Sequence, residues 1–179
     1  MPWPRWTALL MLVLVFIPAT ALSLAEDSSE REKAIKAGYI YNFAKFVSWP
    51  SATKAAGRII FCVGEDPAFT IIFRNIVAGK KIGNLPVDVV DMFAGDSPIP
   101  CHVLYIPHTK PDLVEQLLDD YPGKPVLSVG DASDFIGKGG IISFFVDGGR
   151  LRFEIGLSNA GKSGLVLSSE LLELARIRQ

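Results

Sequence analysis

Cysteine and histidine are scarce in this chain, with two of each among 179 residues. A conventional four-ligand Cys/His zinc centre would have to consume all four, so a dedicated metal site has almost no material. An excess of charge of one sign is missing too. Eighteen basic residues face nineteen acidic ones, a formal net charge of −1, which leaves no electrostatic footprint for nucleic acid or anionic lipid. No C-x-x-C pair and no G-x-S-x-G elbow occur, so thiol exchange and serine-hydrolase chemistry lack their carriers. Repeats, low-complexity tracts and internal linkers are also absent. What remains is 49% hydrophobic and 10% aromatic, enough for one buried core and far from a disordered composition.

Long apolar runs are confined to the beginning. Residues 8–17 are uninterrupted apolar sequence, Arg5 is the sole charge before Glu26, and small residues follow Pro18. This is the layout of a secretory signal peptide. Ser23 and Ala25 supply small side chains at −3 and −1, predicting cleavage after Ala25, with Ala21 as the second choice. The weighed alternative is an uncleaved anchor, but the apolar run is well short of the roughly 20 residues that span a bilayer. The expectation is a leader over 1–25, a single domain over 26–179, and export with the leader removed.

In the remainder, Ser29-x-x-Glu32 matches a capping box. It predicts a helix over 33–47 with Ile40, Phe43 and Val47 on one stripe, widened by Ile35, Tyr39 and Phe46 and ended by Trp49-Pro50. Short apolar strands are predicted at 58–63, 87–90, 102–106 and 126–129. Helices are predicted at 67–77, 111–120 and 168–177. Residues 141–146 and 150–155 flank Asp147-Gly148-Gly149, the best hairpin signal in the chain. Its second strand alternates Leu151, Phe153 and Ile155 against Arg150, Arg152 and Glu154. Alternating strands and helices imply an α/β fold with a mainly parallel sheet flanked by helices and a C-terminal antiparallel hairpin at one edge.

Few motifs promise chemistry. Gly156 to Ser163 satisfies G-x-x-x-x-G-K-[ST], the phosphate-cradling P-loop. Only 16 residues follow Ser163, Gly164 interrupts the helix the motif must open, and Asp91 is a poor partner for Mg²⁺. The match is therefore taken as coincidence. His102, His108 and Asp112 lack the spacing of a closed metal site. Asp131 and Asp134 follow a strand end, where such residues cap turns more often than they act as acid or base. No catalytic set, cofactor or metal is expected. Cys62 and Cys101 would be buried thiols in a reducing compartment, and after export an even pair is more often a disulfide.

The block Ala37-Gly-Tyr-Ile-Tyr-Asn-Phe-Ala-Lys-Phe-Val-Ser-Trp-Pro50 resembles the opening of the YfiR family, also called DUF4154. Further blocks follow in the same order. They are Cys62-Val-Gly-Glu-Asp-Pro67, Cys101-His-Val-Leu-Tyr-Ile106, Leu127-Ser-Val-Gly-Asp131, Gly139-Gly-Ile-Ile-Ser-Phe144, Arg152-Phe-Glu-Ile155 and the stretch from Gly164 to Ala175. The resemblance implies a non-enzymatic periplasmic regulator that inhibits the periplasmic sensor part of an inner-membrane, YfiN-like diguanylate cyclase, lowering cyclic-di-GMP and biofilm formation. It implies a Cys62–Cys101 disulfide and makes a homodimer a reasonable expectation. A second cysteine pair found in some relatives is absent. Gly156 stands where the family usually has Asn, which helps create the P-loop match. Tyr39, Tyr41, Phe46 and Trp49 beside the first helix, and Arg152 and Glu154 on the outer face of the hairpin, are the candidates for binding a partner or ligand. The alternative function is a periplasmic small-molecule-binding protein.

Overall fold

The computed structural model describes residues 19–51, 57–93, 100–121 and 123–179, with side chains from residue 28 onward. The apolar run of the expected leader lies outside the described residues. Among them, no helix is long and apolar enough to cross a membrane.

The first helix, α1 (Ala19–Lys45), is longer than its capping signal implies. Ser29 does not start it. The preceding Ala-Leu-Ser-Leu-Ala-Glu stretch contains no Gly or Pro, so the helix propagates back through the box. Its end also comes early. The Phe46 amide bonds back to the Phe43 carbonyl at 2.9 Å. Val47–Ser48 then form β1, paired antiparallel with β9 (Val166–Leu167). Ala37, Ile40, Phe43 and Ala44 are buried, whereas Ile35 remains 52% exposed and does not widen the buried stripe as expected.

The main sheet is built from β2 (Ile59–Gly64), β3 (Lys81–Ile82), β4 (Leu85–Met92), β5 (Val103–Ile106), β6 (Leu127–Gly130), β7 (Ile142–Asp147), β8 (Arg150–Gly156) and β10 (Arg176–Arg178). Its order is β10-β8-β7-β6-β5-β2-β4-β3. Only β3–β4 and β7–β8 pair antiparallel. The expected fold, mainly parallel with a late hairpin, is the one observed. Asp147 faces Arg150 across the hairpin, and Gly148 and Gly149 both have positive φ, the two-residue turn that suits twisted strands. The hairpin is not the sheet edge, because β10 adds parallel to β8 with Ile177 opposite Ile155. The last helix is correspondingly shorter than expected. It is α5 (Ser169–Glu173), capped by the Ser168 hydroxyl, and the chain then offers its amides to the edge of β8.

Between the strands lie α2 (Pro67–Val77), α3 (Leu113–Asp119) and α4 (Leu157–Lys162). Asp66 starts α2 by accepting the Phe69 amide, with Pro67 pre-set in the first turn. One core layer packs Phe43, Phe61, Phe73, Phe144 and Phe153 with Val103, Leu127 and Ile155. The Phe43 and Phe153 rings lie 4.7 Å apart, centroid to centroid. The second layer holds Leu104, Ile106, Val114, Leu117, Phe135 and the bridge between Cys62 and Cys101, whose Cα atoms are 5.9 Å apart. Phe135 is clasped between Gly130 and Gly140, where an added Cβ would collide with its ring. Trp49 is only 7% exposed, and its indole N–H donates to the Ala44 carbonyl at 3.1 Å. It belongs to the core.

Candidate functional site

In a parallel sheet, ligands and partners meet the carboxyl ends of the strands, above all where the strand order reverses. Here β4 lies on one side of β2 and β5 on the other. The chain leaves β2 through Glu65-Asp66, β5 through Pro107-His108 and β6 through Asp131. Over this edge α1 delivers Glu32, Lys33 and Lys36.

The side chains interlock. Lys36 Nζ lies 2.5 Å from Asp131 Oδ2 and 2.5 Å from Glu32 Oε1, and the Lys36 and Asp131 side chains are each 7% exposed. The His108 amide donates to Asp131 Oδ1 at 2.5 Å, and its Nδ1 lies 3.3 Å from Oδ2. The Tyr105 hydroxyl donates to the same oxygen at 3.5 Å. Alongside, Lys33 pairs with Asp66 at 3.1 Å and Lys110 with Glu65 at 2.9 Å. Glu65 has a φ of 45°, a left-handed conformation that costs a non-glycine residue about 1–3 kcal/mol and that clusters at functional edges.

Burial works to lower the Lys36 pKa, but the hydrogen bonds and charges of Asp131 and Glu32 outweigh it and hold the ammonium above its ordinary value. Burial pushes the Tyr105 phenol well above its ordinary range, and the negative charges of Asp131, Asp66 and Glu32 push the same way. The edge therefore keeps Lys36 charged and Tyr105 neutral. Asp131, offered several donors at once, serves as a fixed anchor rather than a turn cap.

Two hollows open here. A recess of about 270 Å³ is lined by Glu32, Lys33, Lys36, Asp66 and Tyr105. A groove of about 210 Å³ runs from Lys36, His108 and Asp131 onto Phe144, Val146 and Leu151 of the hairpin. Beside that groove Tyr39 stands 37% exposed, its ring against Phe144 and Phe153. Ile35 one turn earlier and Val146, 68% exposed, extend the apolar surface. A charged crevice thus continues into an aromatic and aliphatic patch.

The six candidates from the sequence do not converge. Tyr39 stands beside this groove, its ring against Phe144. Tyr41 lies against the opposite end of the sheet order, with its hydroxyl donating to the Lys81 carbonyl and its ring flanked by Lys45 and Lys80. Phe46 is half-buried against the core and Trp49 is inside it. Arg152 and Glu154 lie on the opposite face of the hairpin from Phe153, where Arg176 stacks 4.1 Å from the Phe145 centroid. His102 and His108 sit at opposite ends of β5, and the buried His102 accepts the Ile60 amide on Nδ1. Among the described residues no group of three His, Cys, Asp or Glu side chains could hold a metal.

The P-loop match fails on backbone conformation. The residues that should form an open cradle are wound into α4 itself, with Ala160 buried. Asn159 Nδ2 donates to the Ile136 and Gly140 carbonyls at 2.9 and 2.8 Å, tying the segment down. Sequence reasoning missed Lys36 and Glu32. The available signal was a lysine in line with Ile40 and Phe43, at the spacing that faces the core.

Comparison with protein-family models matches residues 33–176 to DUF4154, described as YfiR/HmsC-like. The chain belongs to that family. Membership supports, at the level of the family, a periplasmic regulator of a diguanylate cyclase, regulatory rather than catalytic.

Proposed function

We propose that this YfiR/HmsC-like chain is exported with residues 1–25 removed, binds the periplasmic sensor part of an inner-membrane, YfiN-like diguanylate cyclase, and holds its activity down. Cyclic-di-GMP and biofilm formation fall as a result. The carrying observation is the family match over 33–176. The groove between α1 and the hairpin supports it with a physical means. A standard interface buries roughly 1,600 Å² in total and draws its energy from a few aromatic or aliphatic anchors in a charged rim. Tyr39, Ile35 and Val146 are such anchors, with Lys36, Asp131 and His108 beside them. Arg152, Glu154 and Tyr41 present separate surfaces, open to a second copy of the chain or to another part of the partner.

The test is cellular cyclic-di-GMP. Deleting the gene should raise it, and a variant with a disabled leader should match the deletion. Ile35→Glu combined with Val146→Asp, both at exposed positions, should do the same while leaving the melting temperature of the purified protein close to wild type. Unchanged cyclic-di-GMP in the deletion strain, with the candidate cyclase expressed, would reject inhibition. It would favour the second reading, a periplasmic small-molecule binder using the 270 Å³ recess.

A further inference from the structure

The two ends of the main sheet are not alike. At one end β10 is three residues long and both its arginines are exposed, the short, charged kind of edge that discourages further pairing. At the other end β3 pairs only with Leu85 and Pro86 of β4. Beyond Pro86, β4 continues in unbroken register with β2, from Val87 opposite Ile59 to Met92 opposite Gly64. Among the described residues no strand pairs with the far side of that stretch. We infer that this edge of β4 receives an extended segment of the partner protein as an added strand, an inference that rests on the proposed binding of the cyclase's periplasmic part.

Backbone direction decides what this edge can take. The Met92 carbonyl accepts the Glu65 amide at 2.9 Å, so Met92 faces β2, and by alternation so do Val90 and Asp88. Val87, Val89 and Asp91 therefore turn their amides and carbonyls outward. Arg74 on α2 reads the same direction, since its Nε donates to the outward Val89 carbonyl at 2.8 Å. The chain before β3 adds no rung, because the Lys80 amide turns back to the Val77 carbonyl. Outward donors and acceptors at every second residue are complementary to another extended backbone, whereas a helix spends its amides internally. Space for the added strand lies alongside, in a hollow of about 270 Å³ lined by Arg74, Val77, Ala78, Val87, Asp88 and Val89. The usual guards of an edge are missing or spent. No proline or bulge follows Pro86, and Asp88 and Asp91 are held by Arg58 at 2.6 Å and Arg74 at 3.7 Å. Antiparallel self-pairing is disfavoured in each central register. About Val89 two Arg74 side chains meet at the axis, about Asp91 two carboxylates oppose, and about Val90 each Asp88 faces an apolar Met92. A different chain avoids all three.

Amide hydrogen exchange at single-residue resolution, on the leaderless chain with and without the detergent-solubilised candidate cyclase, tests this on the wild-type protein. Val87, Val89 and Asp91 should exchange fast in the dilute free chain and at least about tenfold slower in the complex, as each gains a backbone hydrogen bond. Val87→Ala and Val87→Pro both lose side-chain packing, but only the proline lacks the outward donor. The proline variant should therefore bind the cyclase about tenfold more weakly than the alanine variant. Unprotected amides in the complex, or equal affinity of the two variants, would overturn the edge assignment while leaving inhibition standing. Slow exchange at these amides in the dilute free chain would show the edge already paired, and protection that grows with the chain's own concentration would assign it to a second copy. Either result overturns the inference. A gene deletion that leaves cyclic-di-GMP unchanged removes the inhibitor reading itself, and this inference with it.

Discussion

Replacing Lys36 with Met keeps most of the unbranched apolar stem and removes the charge. Asp131 would retain the His108 amide and the Tyr105 hydroxyl but lose the ammonium 2.5 Å from its Oδ2. Breaking a buried ion pair from one side typically costs about 3–5 kcal/mol, because the surviving charge has no counterpart. The two remaining donors place Lys36→Met at the lower end, about 3 kcal/mol. Asp131→Asn leaves Lys36 with Glu32, which is 56% exposed, so its cost should be smaller, about 2 kcal/mol. The double variant deletes both charges and should cost at least about 1 kcal/mol less than the two singles together, since contacting residues are not additive. Urea unfolding at neutral pH measures all three. Thermal melts should agree, Lys36→Met lowering the midpoint by about 6–12 °C for a chain of this size. Additivity within about 0.5 kcal/mol, or a Lys36→Met cost below about 1 kcal/mol, would refute the view that this pair fastens α1 to the sheet.

Non-reducing peptide mapping should recover Cys62 linked to Cys101, and replacing both with Ser should cost about 2–5 kcal/mol; two alkylatable thiols in freshly exported protein would reject the bridge. Phe153 is buried against Phe43 and Tyr39, so Phe153→Ala should cost about 3–5 kcal/mol, whereas Arg152→Ala on the exposed face should stay within about 0.5 kcal/mol; equal losses would contradict the face assignment. Lys36 and Tyr105 both hold their protons more tightly when folded than when unfolded. Their contribution is full below about pH 10 and is lost as pH climbs through the folded values, so stability should fall on the alkaline side. Tyr105→Phe should flatten that decline, and an unchanged alkaline slope in the variant would count against the phenol.

The strands and the hairpin were legible because their signals are local. Phe61, Cys62 and Val63 form an apolar run too short for a helix, and Gly148-Gly149 supplies the positive φ that the turn demands. The two ends of α1 and the fate of Ile177 were less legible, since each depends on a partner distant in sequence. Val47 leaves the helical register to pair with Leu167, and Ile177 leaves it to pair with Ile155. Helical spacing in 168–177 was real, but the open edge of β8 competes for the same amides. The charged edge was the least legible. Lys36 and Asp131 are 95 residues apart, and although Asp131 closes a family block, no local signal pairs it with Lys36. Only the parallel topology, which returns β2, β5 and β6 to the same end, brings Asp66, His108 and Asp131 under one face of α1.

The G-x-x-x-x-G-K-S segment shows the opposite failure, a complete motif without its structure. A phosphate cradle works because its glycines hold backbone amides open toward the anion. Here the Ser163 amide bonds to the Asn159 carbonyl and the Gly164 amide to the Gly161 carbonyl. Those donors are spent inside the turn before any ligand arrives. The deciding residue is Asn159, whose side-chain amide clamps the Ile136 and Gly140 carbonyls and anchors the helix where a loop would otherwise have to stand free. A residue order can therefore be satisfied while the conformation that gives it chemistry is excluded by two hydrogen bonds to a loop about 20 positions upstream.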